Sequence, residues 1–464
     1  MTPPPDVRVR VVQDAPVRDR AYILYWSIAA RRTTWNFALD RALAWGRSLG
    51  RGVVVLEALR VDAPWSSVRF HTFVRQGMAD NARRYAAAGV AYHPWIEPSP
   101  GAGHGLLAAL AAHACVVVAD DYPVFFLPRM LAAAAADLDV RVEAVDGNGI
   151  VPLGAPRKEY KRAADFRRAL PGWLATHSGR PTADPLATYD LPRASLPADV
   201  VSRWPVVDVD LERLPIARLA PIPSRGGELA GRAALAGFLS RVERYAEDRD
   251  HPDLDGTSGL SAWLHWGHLS AHEAVDAVQR ACPGDVGPFA VTASAAAFLD
   301  QLVTWRELAY HSARARPDAE RYASLPEWAR RTLAEHATDP RLAVYDLDAL
   351  AEARTADPIW NAAQRQLVTD GRIHNAMRMV WGKLVIGWTP SPEAAFDTLV
   401  ELNNRYAIDG RDPCSWAGIA WCFGRYDRAW GPERPIYGKV RFMTSALAAR
   451  KRRLRQWLAR WSSA

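Results

Sequence analysis

Cysteine is scarce in this chain. Its 464 residues include four cysteines, Cys115, Cys282, Cys414 and Cys422, and no two of them form a C-x-x-C pair. A chain of this length buries a core without covalent staples, so a small disulfide scaffold is excluded. The cysteine count therefore predicts a reducing environment such as the cytosol.

Long hydrophobic runs are also missing. The N-terminal residues MTPPPDVRVRVV lack the apolar core of a signal peptide, and the longest apolar stretch, near 105–135, is interrupted by His113, Asp120, Asp121 and two prolines. We therefore expect a cytoplasmic protein that neither leaves the cell nor spans a membrane.

What remains is the composition of a globular protein. Apolar side chains make up 49% of the residues, and the length suits two or three domains of about 100–200 residues each. A disordered chain and a coiled coil are excluded. The 19 tryptophans are the outstanding number, and most of them are expected in cores or interfaces.

Positive charge is concentrated near the C-terminus. The chain has 58 Lys plus Arg against 51 Asp plus Glu, a net charge of +7, and RKRRLRQWLAR at 450–460 contains basic residues and no acid. A phosphate-rich partner would explain this segment, and a solvated basic helix end would explain it about as well.

Between about 20 and 147, short apolar segments alternate with helical patterns. Five strands are predicted in AYILYWSI, GVVVLEAL, VAYHPW, CVVVADDY and VRVEAV. This alternation is typical of a parallel, doubly wound, Rossmann-like sheet, which binds ligands beyond the carboxyl ends of its strands. We therefore expect Ser27, Asp120 and Asp121 near a pocket. The stretch GAGHG at 101–105 lacks the strand-to-helix context of a phosphate loop.

The pattern changes twice further along the chain. Residues 176–226 are rich in Pro, Ala, Asp and Arg, which indicates a long inter-domain connection. Strand patterns then disappear, and one helical pattern follows another. We predict an α/β domain at 1–176, a linker at 177–226 and an all-α domain at 227–464.

Three segments of the helical region carry motifs. In the first, Tyr245 and Arg249 precede DGTSGLSAWLHWGHLS at 255–270. Its hydroxyl and backbone N–H groups at a helix N-terminus would stabilise a pyrophosphate, although Ser and Thr caps begin most helices. The second and third segments are IWNAAQRQLVTDGRIHNAMRMVWGKLVIGW at 359–388 and LNNRYAIDGRDPCSWAGIAWCFGRYDRAWGPERPIYGKVRFM at 402–443.

These segments resemble the photolyase/cryptochrome family, and in particular class II cyclobutane pyrimidine dimer photolyases. The likeness includes the W-N-A-A-Q, D-G-R-D-P and G-I-A-W runs, covers most of 227–464, and extends more weakly to the YW and DDYP segments of the first domain. It implies a deoxyribodipyrimidine photolyase, a carbon–carbon lyase in which blue light drives an electron from reduced FAD to a pyrimidine dimer flipped out of UV-damaged DNA. It further implies a monomer whose N-terminal domain could hold a deazaflavin or folate antenna chromophore.

The resemblance assigns roles to individual residues. Trp360, Trp381 and Trp388 match the electron-transfer chain that photoreduces the flavin. Asn403 matches the residue facing flavin N5, and Arg378 with Asp409 matches an ion pair beside the ring. The other positions matched to FAD are Tyr245, Arg249, Thr257, Ser258, Leu260, Ser261, Asp427 and Arg428.

For the dimer, Trp305 and Trp421 match two aromatic walls that stack on the flipped bases, since every base offers a π-face. Asn375 and Met379 are spaced i, i+4, as are Gln301 and Trp305, so each pair is expected on one face of an α-helix.

Three positions depart from the class II pattern. Gln301 stands where a Glu is usual, and an amide donates a hydrogen bond but cannot supply a proton, so slower or altered repair is expected. Asn375 replaces a Gly, and Cys414 replaces an Asn. The (6-4) photolyases share the Gln but carry two histidines where Asn375 and Met379 stand. Gln301 and Cys414 favour the alternative, a cryptochrome-like photoreceptor with weak or no repair activity.

Three histidines have a spacing that would suit a metal site. His265, His268 and His272 fall at i, i+3, i+7 on one helical face, but no carboxylate or cysteine completes a ligand set. We expect no metal.

Overall fold

The computed structural model describes residues 5–156 and 158–462. Within these ranges the strands are β1 (Val9–Gln13), β2 (Tyr22–Trp26), β3 (Gly52–Leu59), β4 (Ala91–Ile96), β5 (Ala114–Asp120), β6 (Val142–Val145) and β7 (Pro283–Val286). The α-helices are α1 (Phe37–Leu49), α2 (Val68–Ala88), α3 (Leu106–Ala111), α4 (Leu127–Ala136), α5 (Ala163–Thr176), α6 (Ala198–Arg203), α7 (Glu228–Leu239), α8 (Tyr245–Asp248), α9 (Ser261–His265), α10 (Ala271–Ala281), α11 (Ala293–Leu299), α12 (Arg306–Ala315), α13 (Glu327–Glu335), α14 (Leu347–Ala351), α15 (Pro358–Asp370), α16 (Asn375–Trp388), α17 (Pro392–Tyr406), α18 (Pro413–Cys422), α19 (Ser445–Lys451) and α20 (Arg455–Trp461). A π-helical segment, Asp300–Trp305, joins α11 to α12.

The sheet has the order β1-β6-β5-β2-β3-β4. Strands β2 to β6 are parallel to one another. Along the chain, the crossover helices α1 to α4 alternate with these strands. This confirms the predicted doubly wound sheet. β1 was not predicted. It pairs antiparallel with β6 at the sheet edge, where its half-exposed VRVVQ sequence gives a weak strand signal.

The predicted pocket residues at the carboxyl ends of β2 and β5 bind their own chain. One carboxylate oxygen of Asp120 accepts the backbone N–H groups of Ile28, Ala29 and Ala30 at 2.7–2.8 Å, and the other accepts the Tyr25 hydroxyl at 2.9 Å. Asp121 pairs with Arg10 at 2.8 Å. Asp120 therefore fixes the loop after β2.

The chain divides into two compact units. Of the described residues, the first unit contains 5–156, 170–237 and 260–281, and the second contains 158–169, 238–259 and 282–462. The whole predicted linker, 177–226, falls in the first unit because its apolar residues pack on the sheet, as Leu186 and Trp204 do. The domain limits proposed from the sequence differ from these units and stay a prediction.

The second unit consists mainly of helices, apart from the short exposed strand β7. Residues 158–169 join this unit because Phe166 is fully buried and its ring lies 5.5 Å from that of His311. No helix in the described ranges is long and apolar enough to cross a membrane.

Candidate flavin and substrate site

Three tryptophans form a continuous chain of ring contacts in the second unit. The ring centroids of Trp360 and Trp381 are 6.2 Å apart with 8° between the planes, and those of Trp360 and Trp388 are 5.6 Å apart at 75°. Trp360 comes from α15, whereas Trp381 and Trp388 lie two turns apart on α16. The contact order is therefore Trp381, Trp360, Trp388.

Hydrogen bonds fix the two buried indoles of this chain. Trp360 Nε1 donates to the backbone oxygen of Trp381 at 3.0 Å, and Trp381 Nε1 donates to the side chain of Gln364 at 3.0 Å. Trp360 and Trp381 are buried, and Trp388 is half-exposed. The chain thus runs from the interior to the surface.

A second group of predicted residues lies on α16, on α17 and just after α17. Arg378 donates to Asp409 at 3.0 Å, which brings together the pair predicted beside the flavin. The buried side chain of Asn403 donates to Asn404 Oδ1 at 3.1 Å, and this amide oxygen also accepts the backbone N–H of Arg411. Asn403 is thereby held in a fixed rotamer.

Three buried polar atoms in this region have no hydrogen-bond partner in the described structure and could therefore bind a flavin. These atoms are Arg378 Nε, Asn404 Nδ2 and His374 Nε2. Two of them are obligate donors, and burial of such a group is costly unless an acceptor is present. FAD offers carbonyl oxygens, ring nitrogens and a pyrophosphate, so the residues fit this cofactor.

His374 also shows how the region is built. It caps the N-terminus of α16 by accepting the Ala376 N–H at its Nδ1, and burial lowers its pKa to about 4. The ring is therefore neutral at pH 7. A neutral ring with one partnered nitrogen has its other nitrogen available to a ligand.

The predicted phosphate motif is divided between the two units. In the second unit, Tyr245 is buried against Phe298, and the Arg249 guanidinium lies 5.3 Å from the Tyr245 ring. Thr257 and Ser258 follow in a loop, where the Thr257 oxygen accepts from Arg241 at 3.0 Å.

In the first unit, Leu260 directly precedes α9, which begins at Ser261 and has no side-chain cap hydrogen bond. Because α9 is only five residues long, its N-terminus carries a weaker dipole than that of a long helix.

Residues predicted to contact the dimer lie partly on the π-helical segment. Gln301 and Trp305 were expected i, i+4 on an α-helix, and this expectation is corrected, because 300–305 is π-helical. π-helical turns occur frequently at functional sites. The Trp305 side chain is 37% exposed. Asp300, at the start of the segment, forms two hydrogen bonds with Arg167 at 2.7 and 2.8 Å.

The other predicted aromatic wall, Trp421, is the second-last residue of α18. Lys383 Nζ lies 4.9 Å and Arg441 Cζ 5.7 Å from its ring centroid. Arg441 also lies 4.1 Å from the Trp430 ring.

Asp427 lies beside Arg441 and Trp430. Its carboxylate pairs with Arg441 at 3.0 Å and accepts from Trp430 Nε1 at 3.1 Å. Arg428 is exposed and lies 4.6 Å from the same Trp430 ring. Asp427 is therefore linked to Trp421, which was predicted on the substrate side, and the flavin roles assigned to both residues stay predictions.

The remaining predicted residues lie near the N-termini of α16 and α18. Asn375 is the exposed first residue of α16, and Met379 is half-buried one turn later on the same helix. Cys414 is the second residue of α18, and its N–H is capped by Asp412 at 2.7 Å.

The three histidines at metal-like spacing differ in their surroundings. His268 Nδ1 accepts the Gly227 N–H at 3.0 Å, and His272 Nε2 forms a hydrogen bond with the Gly149 oxygen at 3.1 Å. The described residues contain no group of three or more ligating side chains that could hold a metal ion.

Three residues of the site were missed by sequence reasoning: Lys383, Trp430 and Arg441. Lys383 had a signal, because it is the only charged residue in the apolar run VWGKLVIGW. Trp430 and Arg441 had none, since their contact with each other depends on the fold of an irregular loop.

Comparisons with known proteins show the family of this chain. Residues 298–403 match the family described as the FAD binding domain of DNA photolyase. The deoxyribodipyrimidine photo-lyase of Methanothermobacter thermautotrophicus is 33% identical over 446 residues, which cover 95% of this chain and 94% of the relative. The protein of the same name from Oryza sativa subsp. japonica is 33% identical over 470 residues, covering 96% and 88%.

Solved structures show the same fold at lower identity. A bacterial class III photolyase from Agrobacterium tumefaciens has a TM-score of 0.71 at 18% identity and covers 97% of this chain and 88% of its own. A Synechocystis cryptochrome has a TM-score of 0.68 at 16% identity, covering 97% and 89%. The predicted fold class is confirmed. The chain belongs to the photolyase/cryptochrome family, as a member of its deoxyribodipyrimidine photo-lyase branch with FAD as cofactor.

Proposed function

We propose that the protein splits cyclobutane pyrimidine dimers in UV-damaged DNA under blue light. The observation that carries the proposal is the exposed indole of Trp305 on its π-helical segment, in the same unit as Trp421. Aromatic platforms of this kind stack on bases irrespective of sequence. The two relatives matched over most of their length are deoxyribodipyrimidine photo-lyases, which supports the substrate class.

Bound, reduced FAD supplies the light-driven electron for the reaction. The chain's own residues then have distinct tasks. Arg378 Nε and Asn404 Nδ2, which are buried without a partner in the described structure, would donate hydrogen bonds to acceptors of the cofactor, and the Arg378–Asp409 pair keeps the guanidinium in place. Asn403, whose rotamer is fixed by Asn404, orients a neutral amide. Such preorganised donors stabilise negative charge without reorganising during the reaction.

The tryptophan chain would carry electrons toward the bound cofactor. Electrons pass from half-exposed Trp388 through Trp360 to Trp381, because each step joins rings whose centroids are 5.6–6.2 Å apart. Reductant in solution meets the chain at Trp388.

Gln301 holds the dimer by a hydrogen bond from its amide. Because an amide cannot supply a proton, Gln301 stabilises the negative charge formed on the dimer by hydrogen-bond donation alone. The same residue favours the second candidate function, a blue-light photoreceptor that uses the tryptophan chain for signalling.

The test is the conversion of a thymine-dimer oligonucleotide by the purified, chemically reduced protein at low salt. Light-dependent loss of the dimer, absent in a dark control, supports repair. Bound FAD with normal photoreduction and no conversion would overturn the repair proposal and favour the photoreceptor.

A further inference from the structure

Lys383 is a buried lysine that the reaction described above does not use. It lies on α16 between Trp381 and Trp388 and is 0% exposed. Its Nζ donates to the backbone oxygen of Cys422, the last residue of α18, at 2.6 Å. A cation at this position interacts favourably with the C-terminal end of the helix dipole.

The same ammonium also contacts the indole of Trp421, at 4.9 Å from the ring centroid. Trp421 directly precedes Cys422, so one buried cation holds both the end of α18 and the aromatic ring at that end. A second cation near the ring, Arg441, is half-exposed and also pairs with Asp427. Of these two cations, Lys383 is the one that is fully buried.

We propose that Lys383 is a positioning residue for the dimer, which sets the plane of the Trp421 indole by binding the end of α18 and the ring together. This inference rests on the proposed function, since the plane of Trp421 matters only if a base stacks on it. A cation–π contact that is shielded from water contributes about 0.5–2 kcal/mol, and the neutral amine does not make it.

The surroundings of Lys383 make the charge testable by pH. Burial lowers the pKa of Lys383 to about 8. The groups that face it are the Cys422 thiol, whose pKa burial raises to about 11, Asp427 and Arg441, and the Tyr437 hydroxyl, which donates to the Lys383 backbone oxygen and whose pKa burial also raises. The cysteine and the tyrosine keep their protons between pH 7 and 9.5, whereas Lys383 loses its proton there.

A purely structural role predicts a different pH trend. The folded-state pKa of Lys383 is below its ordinary value of 10.5, so its contribution to the free energy of unfolding rises between pH 8 and 10.5. The positioning role predicts that the preference for the dimer falls above pH 8. Stability and dimer recognition should therefore move in opposite directions.

The experiment measures dark binding of an oligonucleotide with one thymine dimer and of its undamaged twin, at pH 7 and 9.5. It compares the natural protein with Lys383→Met and with Lys161→Met, which removes an exposed lysine. FAD absorbance and photoreduction report on an intact fold. We expect the preference for the dimer to fall about 2- to 30-fold at pH 9.5 in the natural protein and in Lys161→Met. Lys383→Met should show the low preference at both pH values.

Other results have defined meanings. A dimer preference that is the same in Lys383→Met and the natural protein, or the same at both pH values, would overturn the role of Lys383 and leave the proposed function standing. If the natural protein shows no dimer preference at pH 7, the proposed function fails and the inference fails with it. If Lys383→Met does not retain FAD, the pH dependence of the natural protein decides alone.

Discussion

The indole rings of Trp360 and Trp381 lie nearly parallel, with 8° between their planes and 6.2 Å between their centroids, although they come from different helices. Trp360 also contacts Trp388, so it is the middle member of the chain. Spacing along α16 alone would pair Trp381 with Trp388 directly. An electron that moves between Trp388 and Trp381 along these ring contacts therefore passes through Trp360.

Trp381→Phe should abolish photoreduction of oxidised FAD and leave FAD bound, because phenylalanine fills the space but is much harder to oxidise. Trp360→Phe should have the same effect. The measurement is the flavin absorbance spectrum under blue light with an external reductant. The control is Trp461→Phe, a buried tryptophan on α20 outside the chain. Unchanged photoreduction in Trp381→Phe would contradict the assignment.

Gln301→Glu should raise the yield of dimer splitting, since a carboxylic acid both donates a hydrogen bond and supplies a proton. The yield per absorbed photon is measured with the reduced protein and a thymine-dimer oligonucleotide. Gln279→Glu makes the same chemical change in the first unit and should have no effect. An unchanged yield in Gln301→Glu would show that the site is already adapted to the amide.

Trp305→Ala should weaken binding of the dimer by about 1–3 kcal/mol, the typical cost of removing one base-stacking ring. Affinity for the undamaged twin should stay within about twofold, because phosphate contacts are unaffected. Trp173→Ala, which removes another half-exposed indole, provides the matched control. Equal losses for damaged and undamaged DNA would argue against a stacking role.

Sequence patterns predicted the sheet because its central strands are short, buried apolar runs, as Val53 to Val55 in β3 show. The edge strand β1 was missed because its residues are half-exposed. The tryptophan chain was predicted by resemblance, but the intermediate place of Trp360 depends on the packing of α15 against α16. The contacts of Asp427 depend on an irregular loop. Local sequence has no helical or strand periodicity there from which these contacts could be predicted.

Two further outcomes illustrate the limits of local patterns. The π-helical turn at Gln301 and Trp305 has no sequence signature, because the residues around it favour an α-helix equally well. Asp120 was expected beside a ligand, since it follows a buried strand at the switch point of the sheet. Its carboxylate binds three backbone N–H groups of its own chain, and only the folded loop shows this.

His268 should make the protein less stable in mild acid. Burial, together with the nearby Arg31 and Arg32, lowers its pKa from 6.5 to about 3, so the unfolded chain takes up a proton first as the pH falls. The stabilisation is complete above pH 6.5 and is lost progressively toward pH 3, by about 2 kcal/mol at pH 5. His268→Asn keeps an acceptor for the Gly227 N–H but does not titrate. Its thermal midpoint should therefore depend less on pH between 6.5 and 5, and an equal slope would contradict this account.

The basic C-terminal segment should contribute to the salt dependence of DNA binding. Trp457 and Trp461 are buried and anchor α20, which leaves Arg453, Arg455 and Arg460 exposed. If these three arginines contact phosphates, their replacement by Gln should reduce the slope of log affinity against log salt by about 2–3, since each contact contributes about 0.9. Affinity for damaged and undamaged duplexes should fall together, because phosphate contacts carry no base information. The matched control replaces Arg83, Arg203 and Arg213 of the first unit with Gln. An equal reduction in both triple variants would mean that net charge, rather than this segment, determines the affinity.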